Sequence, residues 1–221
     1  MEQRGHITAR IDALRKQALT MAALANQAVL NASRAFLKND WELAEQVIQG
    51  DEAVNAMECE LDKRSLELLA LTQPMARDLR LIVGTMRISI QLERIGDEAV
   101  NLAQRTVFLS TRPPLPVDPL MHLLAEQCRK MLSNVITAYA DSDTALAASV
   151  CRQDHEVDEL YYKALTRLIG DMVDETRIVE RAVHHIMAAK HFERIADLCT
   201  NIAESVIFIV KAEDIKHRCK G

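Results

Sequence analysis

Apolar residues return every seven positions at Val47, Val54, Leu61 and Leu68, and the interleaved pairs Leu92 with Ala99 and Ile95 with Leu102 keep the same spacing. Near the end of the chain Phe192, Ile195, Cys199, Ile202, Val206 and Ile209 draw a second seam. Such a period gathers side chains on one helical face, which is then buried against neighbouring helices. The pattern therefore predicts bundle helices.

Proline sets the interruptions, because inside a helix it removes a donor and clashes with the preceding turn. Pro74 stands alone, while Pro113, Pro114, Pro116 and Pro119 crowd the phrase STRPPLPVDPL. Between these breaks the periodicity predicts helices over about residues 5–36, 40–71, 75–109, 118–139, 142–170 and 174–212. Asn39 or Asp40 suits one N-cap, and Ser142 or Asp143 another.

The chain also repeats itself. LERIGDEAVNLAQRTVFL from Leu92 aligns without gaps to FERIADLCTNIAESVIFI from Phe192, and upstream DEAVNAME from Asp51 matches DHEVDELY from Asp154. Two similar antiparallel three-helix bundles account for both repetitions. The expectation is an all-α fold of six long helices, with one bundle over 1–111, a proline-rich connection over 112–119 and a second bundle over 120–221.

Carboxylates recur with the repeat. Glu93 and Asp97 lie one helical turn apart, where like charges repel, and Glu193 with Asp197 does the same one repeat later. A hairpin turning near residue 73 brings Asp51 and Asn55 to the height of Asp97 and Glu93, with a mismatch of about 3 Å at 1.5 Å per residue. The second half brings Asp154 and Asp158 towards Glu193 and Asp197 in a register looser by about one turn. Glu58, Asn101, Asn201 and Glu204 extend these polar stripes. A 100° step per residue puts Glu93 and Asp97 away from the apolar seam, on the side of the bundle. Oxygen ligands from two helices could hold a hard or borderline cation, which would relieve the repulsion. A solvated surface paired with Arg94 and Arg194 is the plainer reading.

Composition narrows the function classes. The 221 residues are 49% hydrophobic but only 4% aromatic, which suits helices packed through aliphatic side chains. A formal charge of −5 gives no general attraction to nucleic acid or an anionic membrane. The chain shows neither a signal-like start nor a run near the roughly 20 apolar residues of a membrane span, so it reads as cytoplasmic. Cys59, Cys128, Cys151, Cys199 and Cys219 form no CxxC pair and read as reduced thiols.

Other chemistries find less support. A ferritin-like carboxylate metalloenzyme gathers two Glu-x-x-His motifs, and His184, His185 and His191 make no such repeated pair. Gly96 is isolated within a helix and belongs to no phosphate-cradling loop. His155, Tyr161, Tyr162 and Trp41 read as packing or surface residues. Arg77, Arg80 and Arg87, at roughly helical spacing, could meet an acidic partner or pair within the molecule.

The LERIGD and FERIAD phrases, with DEAVN, DHEVD and ARDLRLIVG, resemble the PhoU family of phosphate-transport regulators over nearly the whole chain. The resemblance implies two three-helix bundles, a homodimer, and negative regulation of phosphate uptake and phosphate-starvation signalling without substrate turnover. Its implied partners are the ATPase of a phosphate ABC transporter and a phosphate-sensor histidine kinase, with localisation in the cytoplasm, peripheral to the inner membrane through those proteins. It also implies divalent, iron or zinc ions on acidic faces, here Asp51, Asn55, Glu93 and Asp97 in the first half and Asp154, Asp158, Glu193 and Asp197 in the second. Ala196 stands where the family's acidic phrase has glycine, and Asn55 where a charged ligand could stand. A general metal-binding helical scaffold is the alternative reading.

Overall fold

The computed structural model describes residues 2–213. Its helices are α1 (Glu2–Lys38), α2 (Trp41–Gly50), α3 (Glu52–Thr72), α4 (Arg77–Ser110), α5 (Pro119–Asp141), α6 (Thr144–Asp174) and α7 (Val179–Lys211), with a short 3-10 turn at Thr176–Ile178 before α7. The six predicted helices are all present. The second is jointed, because its hydrogen-bond ladder lapses at Asp51 and resumes at once through Val54 N–H and Asn55 N–H donating to Asp51 O at 2.9 and 3.2 Å. Gly50, a poor helix former, ends α2 at that joint.

Local chemistry sets the helix ends. Asp40 Oδ1 accepts from Leu43 N–H at 3.0 Å, and Asp143 Oδ1 accepts from Ala145 and Leu146 N–H at 2.8 and 2.9 Å. Asn39 and Ser142, the other two cap candidates, instead take positive φ angles of 52° and 57° that reverse the chain. Asp118 Oδ1 caps α5 through Leu120 N–H at 2.7 Å, with Pro119 at the first helical position, where no N–H is needed.

Helices α1 to α4 form one antiparallel bundle and α5 to α7 the other; they join through α4 against α7 and α1 against α5. One hydrophobic core runs through both and includes every residue of the predicted seams. Thr85 Oγ1 and Tyr139 Oη share a buried hydrogen bond of 2.8 Å between α4 and α5. Arg15 reaches from α1 to the C-terminal end of α5, donating to Tyr139 O, Ala140 O and Ser142 Oγ at 2.9, 2.7 and 3.0 Å. The proline-rich connection is held in place. Arg181 donates to Pro113 O at 3.1 Å, Arg167 pairs with Asp118 at 2.8 Å, and Leu115 packs on Leu168, Ile178 and Ala182.

Helices α4 and α7 run antiparallel at the centre. Gly84 faces Ile209, Gln91 faces Asn201, Glu98 faces Arg194, Arg105 faces Met187 and Arg112 faces Glu180. The two Glu-Arg-Ile segments thus cross at the middle of the molecule. Cys59, Cys128 and Cys199 are free thiols. Cys151 is disulfide-bonded, which corrects the expectation of reduced thiols; pairing depends on Cα separation in space, which the sequence spacing did not reveal. Cys219 lies outside the described residues.

Candidate functional site

Asp51, at the α2–α3 joint, turns its carboxylate towards α4. A Cβ added at Gly96 would lie 3.2 Å from Asp51 Oδ1 and 3.4 Å from Val54 Cγ1, so a methyl there would press on the Asp51 carboxylate. Asn55 Nδ2 donates to Asp51 Oδ2 at 2.8 Å, while Asn55 Oδ1 is buried without a partner. The predicted register holds, since Asp51 lies at the level of Gly96 and Asp97.

Four carboxylates gather on this first face. Glu93 is half-buried and Asp97 exposed. Partial desolvation raises the Glu93 carboxyl above its ordinary range, repulsion from Asp97, Glu58 and Asp51 adds to the rise, and Arg94 opposes it. Desolvation likewise raises Asp97, with Asp51 and Glu98 adding repulsion. The lone pairs of Asn55 Oδ1 and this under-compensated negative charge suit a hard cation, so the residues present fit a metal ion. Glu58 belongs to the set directly, through its repulsion of Glu93. Among the described residues, no three His, Cys, Asp or Glu side chains already converge into a closed shell.

The second face has the same plan and a different charge balance. Desolvation raises Glu193, Asp197 and Asp158 add repulsion, and Lys190 opposes them. Lys190 Nζ pairs with Glu193 Oε2 at 2.5 Å and also lies 5.3 Å from the centre of the Tyr161 ring. Tyr161 is the repeat counterpart of Glu58, and exposed Ile90 is the counterpart of Lys190. One carboxylate is therefore replaced by an aromatic ring and one aliphatic side chain by a cation. Asp154 is turned inward at 3% exposure, where its charge reaches the buried Cys199. The sequence comparison did not single out Lys190, although its i, i+3 spacing from Glu193 was a readable signal.

The two faces meet across the α4–α7 crossing. Arg94, Asp97, Arg194 and Asp197 line one open cleft of about 380 Å³. Glu98 accepts from His191 Nδ1–H at 2.6 Å and from Arg194 at 3.4 Å. Although desolvation alone would raise it, these hydrogen bonds and charges hold the Glu98 carboxyl below its ordinary range. Arg194 thus serves Glu98 instead of neutralising the second face, and His191 is a bridging residue between the halves. Asn201 Nδ2 donates to Gln91 Oε1 at 3.3 Å, Asn101 contributes its backbone oxygen to Arg105 at 3.4 Å, and Glu204 is half-buried.

The three arginines near the start of α4 do not act together. Arg80 donates to Ile209 O at 3.3 Å and the Arg87 guanidinium lies 4.7 Å from the Phe208 ring centre, so both hold the end of α7. Arg77 is exposed beside the Gln73–Ala76 turn.

Among the described residues, no helix is long and apolar enough to cross a membrane. The PhoU domain model matches residues 18–106 and 121–206, once on each side of the proline-rich connection. The chain is 36% identical to the phosphate-specific transport system accessory protein PhoU homolog of Aquifex aeolicus over 208 residues, 94% of each chain. It is similarly 36% identical to the Pseudomonas aeruginosa homolog over 210 residues, covering 95% of this chain and 87% of that one. The crystal structure of PhoU from Pseudomonas aeruginosa superposes with a TM-score of 0.90 over 93% of this chain and 99% of that one. The phosphate transport system regulatory protein PhoU from Streptococcus pneumoniae gives 0.88 at 25% identity, over 94% and 98%. With both repeats matched and the fold shared end to end, the chain belongs to the PhoU family of phosphate transport accessory and regulatory proteins.

Proposed function

We propose that this protein is a cytoplasmic negative regulator of phosphate uptake and phosphate-starvation signalling, an adaptor that couples the ATPase of a phosphate ABC transporter to a sensor histidine kinase. It works by differential binding, favouring one state of each partner, and turns over no substrate. The observation that carries this reading is the pair of carboxylate clusters at repeat-equivalent positions on α4 and α7, with Asp97 exposed and Glu93, Glu193 and Asp197 half-buried at the surface. Open carboxylates lack the water exclusion that a catalytic acid and base exploit, and they suit a cation or a basic partner surface.

Asp51, Asn55, Glu58, Glu93 and Asp97 would hold a divalent, iron or zinc ion on the first face, and Asp158, Glu193 and Asp197 on the second, where Asp154 is turned inward beneath them. A bound ion supplies positive charge that neutralises each face. The protein's own part is to set the carboxylates through Gly96, the α2–α3 joint and the buried seams beneath them. The homodimer, and the division into bundles over 1–111 and 120–221, belong to the same proposal.

The test is capture of partners from phosphate-replete cells with tagged wild-type protein and with the Glu93→Lys/Glu193→Lys double variant. Recovery of transporter and kinase components by the wild type alone supports the reading. Equal recovery by both, with equal metal content, removes the faces from it. Metal-dependent oxygen consumption by the purified protein would favour the ferritin-like alternative.

A further inference from the structure

Helices α1 and α5 line an open furrow of about 560 Å³ whose electrostatic character is the reverse of the carboxylate faces. Arg34 stands on the α1 wall, and Arg129 and Lys130 on the α5 wall, with Glu126 as the one carboxylate in the lining. All three cations are exposed and make no hydrogen bond or ion pair among the described residues. Glu126 sits four residues before Lys130, the spacing of a helical ion pair, yet no pair forms. The floor at Ser33 is small and buried.

A concentration of uncompensated positive charge in a concave site, on a chain of net charge −5, is an unpaid electrostatic cost that an anionic ligand would offset. The lining carries three cations against one carboxylate, which selects an anion of at least two charges. Guanidinium groups on facing helices match the paired oxygens of phosphate groups, and His122 adds a ring N–H. Its size falls within the range of small-molecule sites and exceeds what a single orthophosphate fills. A protein partner generally needs a surface of about 800 Å² per side rather than a furrow bounded by two helices.

We propose that the α1–α5 furrow is a binding site for a soluble, multiply charged phosphate compound, either an organic phosphate or a short polyphosphate. The site is separate from the carboxylate faces, and its occupancy does not depend on metal there.

Titration calorimetry on the full chain in metal-free buffer at physiological salt tests this, with tripolyphosphate and ADP as the probes. Saturable binding of either is expected at one site per chain, weakened about tenfold or more in Arg34→Ala and in Arg129→Ala and unchanged in Arg64→Ala, whose arginine lies on α3. The altered side chains are exposed, and an unchanged melting temperature confirms that each variant is folded. No saturable binding up to millimolar probe, binding that both furrow variants retain, or binding confined to orthophosphate overturns the proposal. Capture by phosphatidylglycerol vesicles without binding of either soluble probe also overturns it.

Discussion

Gly84 of α4 lies so close to Ile209 of α7 that a Cβ at Gly84 would overlap the isoleucine side chain. Close approach of the two central helices therefore depends on that glycine. Alanine would be the better helix former by about 1 kcal/mol in isolation, yet the overlap must be relieved by shifting a buried side chain, which typically costs about 1–3 kcal/mol. Gly84→Ala is expected to lower the thermal midpoint, and adding Ile209→Ala should recover part of the loss. A single variant that melts at or above the wild type would show that the contact relaxes freely.

Thr85 and Tyr139 test how firmly the halves are joined. Burial raises the Tyr139 phenol, which the Thr85 hydrogen bond and the Arg15 charge oppose. Thr85→Val keeps the shape and leaves the phenol unsatisfied, with an expected loss of about 1–3 kcal/mol in urea unfolding. The double variant with Tyr139→Phe should be closer to wild type than the sum of the single changes.

His185 makes stability fall with acid. Its ring is 3% exposed and packs edge-on against Phe36 with centroids 5.3 Å apart. Burial lowers it from 6.5 to about 4, with His184 and Arg181 adding to the shift. Above pH 6.5 the ring is neutral in both states and contributes no pH dependence. Between 6.5 and about 4 the unfolded chain takes up a proton that the folded one refuses, so stability falls as pH falls, by about 3 kcal/mol in all. Denaturation curves across that window should show a shallower slope for His185→Phe. An unchanged slope would mean that the folded ring protonates normally.

The unequal faces predict unequal metal retention. After equilibration with manganese or zinc and removal of free ions, Glu93→Gln/Asp97→Asn should lose more metal than Glu193→Gln/Asp197→Asn. Lys190→Ile, which gives the second face the first face's residue, should raise retention there. Elemental analysis gives the count, and equal losses from both paired variants would remove Lys190 as the cause of the difference.

The six helices were legible because proline and the seven-residue seams act locally, and Val47, Val54, Leu61 and Leu68 are buried as their spacing required. The level of Asp51 with Asp97 was legible too, since a helix has a fixed rise. The α2–α3 joint was not, because Gly50 alone does not reveal that the ladder lapses at Asp51. Glu98 shows a further limit. Its effect arises from which helix faces which, because the Glu98–His191 bond depends on the α4–α7 crossing. The arginines at 77, 80 and 87 share a helix but not a role, because the end of α7 covers two of them.

The most direct measurement is the affinity of the purified transporter ATPase subunit for this protein, with metal and after chelation, in the wild type and the Glu93→Lys/Glu193→Lys variant. Metal-dependent binding by the wild type is expected, with binding at least tenfold weaker by the folded variant. Equal affinity in all four combinations would contradict the claim that these faces control partner coupling.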